Sequence, residues 1–136
     1  MIRIYETTLF AKRSLANVLY IMMAGCLNPD NNRLELHGKA MNSVDICAYA
    51  NITMQELSKV VKMFYLANVI ITIRAKGKEF YYINPNYMRE ENRDIFSFEW
   101  LLELFEEETN QEDKELVYFK RNKKNITINI GENLPK

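Results

Sequence analysis

The tetrapeptide Thr53-Met54-Gln55-Glu56 constrains this chain more than any other stretch. It has the form of a capping box. The Thr53 hydroxyl can accept from the Glu56 amide, and the Glu56 carboxylate can reach back to the Thr53 amide. Ile52 before it and Leu57 after it fit the apolar staple that accompanies such a box. Leu57, Val60, Val61 and Phe64 then recur at i, i+3, i+4 and i+7, one face of a helix. The helix is expected to end near Asn68, because asparagine tolerates the left-handed backbone of a helix C-terminus.

Upstream, a shorter helix is expected to begin at Asn42 or Ser43, either of which can cap it. Val44, Ile46, Cys47 and Ala50 would face inward, and Asn51 stands where the chain must turn sharply. Earlier still, Leu15, Val18, Leu19, Met22, Met23 and Cys26 mark one face of a longer helix. Asn28-Pro29-Asp30-Asn31-Asn32 reads as a loop, and Arg33-Leu34-Glu35-Leu36 alternates like a short strand. Downstream, Val69–Arg74 and Phe80–Ile83 are strand-like around the turn Ala75-Lys76-Gly77-Lys78, and Asn84-Pro85-Asn86 ends the hairpin. After Asp94, Ile95, Phe98, Leu101, Leu102 and Phe105 give an amphipathic helix running into Glu106-Glu107-Glu108. Leu116–Lys120 and Asn125–Ile130 read as two more strands joined by the basic turn Arg121-Asn122-Lys123-Lys124.

With 136 residues, 48% of them hydrophobic, the chain can build a real core. Its formal net charge is zero, but the charge is segregated. Residues 1–88 carry ten Lys or Arg against six Asp or Glu, whereas residues 89–136 carry eight against twelve. A basic front and an acidic back suit a module that faces DNA and an extension that faces protein or solvent. Cys26 and Cys47 lie far apart in apolar helical patterns, so they read as buried reduced thiols of a cytoplasmic protein. The opening MIRIYETTLF lacks the form of a secretory signal. The longest apolar stretch, Leu15 to Leu27, is too short to span a bilayer, so no membrane role is expected.

The order helix, short strand, helix, tight turn, helix, hairpin is that of a winged helix-turn-helix, here spanning about Leu9 to Tyr87. The expected architecture is therefore α+β. A winged helix-turn-helix domain would occupy residues 1–88, followed over 89–136 by an acidic extension with a C-terminal helix and a β-hairpin. The segment Ile46–Ile70, ICAYANITMQELSKVVKMFYLANVI, resembles the pattern of many bacterial regulators. Asn51 stands where that family usually has glycine, and Asn68-Val69-Ile70 replaces Gly-Leu-Ile at the start of the wing. Residues 15–88, with the closing Tyr82-Ile83-Asn84-Pro85-Asn86-Tyr87, also resemble the RepL-type plasmid replication initiators. That resemblance implies a plasmid- or phage-encoded protein that binds a replication origin or an operator.

The expected function is sequence-specific binding of double-stranded DNA, as a replication initiator or transcription regulator. With Leu57, Val60, Val61 and Phe64 buried, the opposite helix face shows Met54, Gln55, Ser58, Lys59 and Lys62. Such a helix can enter the major groove by its N-terminal half. Gln55 can pair with an adenine edge and Met54 can touch a thymine methyl, while Lys59 and Lys62 meet phosphate or guanine. Thr53 and the helix N-terminus can receive a phosphate. Arg74, Lys76 and Lys78 would carry positive charge on the wing. The alternative is a winged-helix module that binds protein, such as a phage-encoded inhibitor, which the zero net charge and the acidic extension favour. Phe96, Phe98, Trp100 and Phe105 point to packing on the winged domain or to a homodimer or protein interface through residues 95–108. His37 is the only histidine and reads as a loop residue, so no catalytic triad is expected. No enzyme activity, metal or cofactor is expected, and Glu103, Glu106, Glu107 and Glu108 read as a solvated helix face.

Overall fold

The computed structural model describes residues 2–4, 19, 22–110 and 114. It is a mixed α+β fold with small antiparallel sheets. The elements are β1 (Ile2–Ile4), β2 (Glu35–Leu36), β3 (Lys39–Ala40), α1 (Ser43–Ala50), α2 (Met54–Leu66), β4 (Ile70–Ala75), β5 (Lys78–Ile83), β6 (Met88–Glu90), a 3-10 turn (Ile95–Phe98) and α3 (Glu99–Thr109). Of the expected N-terminal helix, Leu19 and residues 22–24 are helical, and Leu19, Met23 and Cys26 are buried. The rest of that helix lies outside the described residues, as do the expected strands at 116–120 and 125–130.

Two hairpins share one turn chemistry. β2 pairs with β3 around His37-Gly38, and β4 pairs with β5 around Lys76-Gly77. All four central residues take positive φ: His37 54°, Gly38 78°, Lys76 54° and Gly77 75°. A two-residue loop with positive φ at both positions follows the strand twist, and glycine at the second position relieves the strain there. On its other edge β5 meets the chain at residues 32–34. Tyr82 bridges Arg33, the Leu34 amide donates to the Tyr81 carbonyl at 2.8 Å, and the Ile83 amide donates to the Asn32 carbonyl at 3.0 Å.

Strand alternation gives the β4–β5 hairpin two buried faces. Ile70, Tyr81 and Ile83 join Leu57, Val60, Val61 and Phe64 of α2 in the larger core. Ile71, Ile73 and Tyr82 join Phe98, Leu101 and Phe105 in a second core beneath α3. Phe98, Leu101 and Phe105 are at most 2% exposed, and burying each side chain contributes about 1.5–3 kcal/mol. Trp100 sets its ring edge-to-face on Tyr82 at 5.3 Å. α3 therefore packs on the hairpin, leaving Phe96 as the aromatic of this stretch that faces solvent, 78% exposed.

Two long-range ties were not foreseen in the sequence. β1 pairs with β6, setting Ile2 opposite Glu90 and Ile4 opposite Met88. Asn32, fully buried with φ 58°, donates its amide to the carbonyls of Ile83 at 2.9 Å and Met88 at 2.8 Å. A residue read as loop is thus a buried fastener between the hairpin and β6.

Two expectations about helix faces need correction. Val44 is 66% exposed, not inward. It stands two residues from buried Ile46, about 200° around the helix, whereas Cys47 and Ala50 share the Ile46 side. Glu108 is not solvated but 3% exposed, accepting from the Tyr65 hydroxyl at 2.6 Å. Lys114 sits over the Tyr65 ring at 4.5 Å and donates to the Asn68 side chain at 3.2 Å. Glu103, Glu106 and Glu107 face water as expected.

Candidate nucleic-acid interface

Local chemistry fixes the angle between α1 and α2. Asn42 caps α1 with its own box: its side chain accepts from the Asp45 amide at 2.8 Å, and Asp45 accepts from the Asn42 amide at 3.0 Å. Asn51 then takes φ 55° and ψ 51°, and the Ile52 amide closes onto the Cys47 carbonyl at 3.1 Å. The Thr53 hydroxyl accepts from the Glu56 amide at 3.1 Å and the Thr53 amide donates to the Glu56 carboxylate at 2.9 Å. At the far end Asn68 takes φ 62°. The Val69 amide reaches the Phe64 carbonyl at 2.8 Å and the Asn68 amide reaches the Tyr65 carbonyl at 3.0 Å, a Schellman closure. Both asparagines occupy left-handed positions that cost most other side chains about 1–2 kcal/mol.

α2 buries Leu57, Val60, Val61, Phe64 and Tyr65 and turns the opposite side outward. Gln55, Ser58 and Lys59 are exposed there and Lys62 is half-buried. Met54 is half exposed, its sulfur 3.3 Å from the Cys47 thiol of α1. Thr53 is exposed, and its hydroxyl oxygen accepts the cap hydrogen bond. The Glu56 carboxylate at this helix N-terminus sets a negative charge where a phosphate would otherwise be welcomed.

The three hairpin cations fall into two classes. Lys76 and Lys78 are exposed at the tip. Arg74 sits one step back in the ladder, directly across from Glu79, and pairs with its carboxylate at 3.4 Å. The same carboxylate accepts from the Tyr81 hydroxyl at 2.9 Å and from the Ser43 amide at 3.3 Å. Burial first, then the Glu79 charge, pushes the Tyr81 phenol well above its ordinary range. Glu79 was not singled out from the sequence. Its signal was the hairpin register: a two-residue turn at Lys76-Gly77 places residue 79 opposite residue 74.

Cys26 is buried and Cys47 is half-buried, so only the first matches the expected buried thiol. Both are free, and burial raises both thiols above their usual range. Leu19, Met23, Cys26, Leu34, Met41 and Ile46 line an apolar cavity of about 10 Å³, room for one water at most. Among the described residues no group of three or more His, Cys, Asp or Glu could hold a metal, and no helix is long and apolar enough to cross a membrane. No known protein family, curated protein or solved structure matches this chain.

Proposed function

We propose that this chain is a winged helix-turn-helix protein that binds double-stranded DNA, with α2 as the recognition helix and the β4–β5 hairpin as the wing. One observation carries the reading. α2 is held at a three-residue turn by Asn51 and the Thr53–Glu56 box, and it presents Gln55, Ser58 and Lys59 opposite its buried face. A helix so mounted can lay its N-terminal half in the major groove. Two further features support it: β5 lies between β4 and residues 33–34, as a wing on a three-stranded base would, and Lys76 and Lys78 stand exposed at the tip. With the resemblance of residues 15–88 to RepL-type initiators, the reading extends to a plasmid or phage protein acting at an origin or operator.

Gln55 and Lys59 should respond differently to replacement. A site is first selected from random duplex DNA. Gln55→Ala should then relax preference at one base pair by about 1–3 kcal/mol, while Lys59→Ala should weaken all sequences alike and lower the salt slope by about one. Unchanged binding in both variants would remove α2 from the interface.

A second reading, a protein-binding winged-helix module, is favoured by Phe96. That ring is 78% exposed, beside an α3 whose outer side carries Glu99, Glu103 and Glu106. A basic protein that captures this chain but is lost on Phe96→Ala would support it.

A further inference from the structure

The Arg74–Glu79 pair holds a cation back from the surface on which the DNA-binding reading depends. Arg74 lies in β4 on the side of the hairpin that carries Tyr81 and Ile83, the side turned toward α2 and the N-terminus of α1. Its side chain is 43% exposed, against 19% for Glu79, so water and incoming ions reach the guanidinium more easily than the carboxylate. The contact is one long link from a guanidinium nitrogen to one carboxylate oxygen at 3.4 Å, not a two-pronged fork. The other oxygen of Glu79 is held twice, by the Tyr81 hydroxyl at 2.9 Å and by the Ser43 amide at 3.3 Å. If Arg74 swings away, those two bonds keep Glu79 in place. The pair is therefore asymmetric: one partner is anchored and one can leave.

We propose that Arg74 is a phosphate contact held in reserve. On encounter with duplex DNA it exchanges the Glu79 carboxylate for a backbone phosphate, and Glu79 stays behind as the positioning residue that ties the hairpin to the first turn of α1. This inference rests on the DNA-binding reading. Glu79 has two consequences. It lowers affinity for every duplex, because the ion pair must be broken first. It also keeps Arg74 folded against the hairpin in the free protein, its guanidinium 3.4 Å from the carboxylate it must leave. An exposed pair of this kind is worth a few tenths to one kcal/mol, so the exchange costs little and is readily reversed.

The test is a double-mutant cycle on random-sequence duplex DNA, read by fluorescence anisotropy across a salt series, with wild type, E79Q, R74Q and the double variant. E79Q should tighten binding about two- to five-fold, the range of an exposed ion pair. That gain should vanish when Arg74 is already replaced. R74Q should lower the slope of log affinity against log salt by about 0.9, the signature of one lost phosphate. A gain from E79Q that persists in the R74Q background would mean general repulsion by a carboxylate and would overturn the exchange. So would an R74Q protein with an unchanged salt slope, a result that stands even if E79Q melts early. Wild-type protein that binds no duplex at low salt would instead defeat the DNA reading itself, and the exchange with it.

Discussion

Replacing Tyr81 by phenylalanine should remove a defined part of this protein's sensitivity to alkali. Tyr81 is 5% exposed, and burial together with the neighbouring Glu79 carboxylate raises its phenol well above the ordinary value of 10.0. The folded state therefore keeps a proton that the unfolded chain releases once pH passes about 10. Holding more protons when folded means that stability falls as pH rises, while below pH 10 the contribution is fully present. Each pH unit between the unfolded and folded values costs about 1.4 kcal/mol, so wild type at pH 11 should lose about 1.4 kcal/mol on account of this group alone. Cys26 and Tyr82 are also raised by burial, but they occur in both proteins and cancel in the comparison. The assay is urea unfolding of wild type and Tyr81→Phe at about pH 8 and pH 11. The variant starts lower by about 1 kcal/mol, having lost its hydrogen bond to Glu79, yet should lose about 1.4 kcal/mol less on going to the higher pH. Equal losses in the two proteins would refute the reasoning.

Three other outcomes follow from the geometry. Asn51→Ala should cost about 1 kcal/mol in thermal or urea unfolding while Asn51→Gly is neutral or better, because φ is 55° there; equal effects would remove the left-handed turn from the account. Leu101→Ala should cost about 2–5 kcal/mol, since its side chain is fully buried between α3 and the hairpin, and a loss within 0.5 kcal/mol would detach α3 from that face. Glu108→Ala should cost about 1–3 kcal/mol by removing the bond from the buried Tyr65 hydroxyl and the charge beside Lys114, while Glu103→Ala on the same helix should change stability by less than about 0.5 kcal/mol.

What could be read in the sequence and what could not divide along a physical line. The Thr53–Glu56 box, the left-handed Asn51 and Asn68, and the apolar row of α2 involve partners within a few residues, so spacing alone reveals them. The outward display of Gln55, Ser58 and Lys59 follows from the same periodicity. Asn32, Glu79 and Glu108 were misread or passed over because their partners lie far off in sequence or across a turn: Asn32 answers to Ile83 and Met88, and Glu108 to Tyr65. A polar residue looks solvated in sequence until the chain brings it a donor. Val44 failed for a different reason: on a helix of eight residues with one buried position, any apolar side chain resembles a core residue, and only the angular offset from Ile46 separates them.

DNA binding is best measured by fluorescence anisotropy of the wild-type protein on random-sequence duplex DNA, at low and at near-physiological salt. The protein should bind at low salt and weaken steeply as salt rises, by about a power of 0.9 for each phosphate contacted. No binding even at low salt, or binding indifferent to salt, would contradict it.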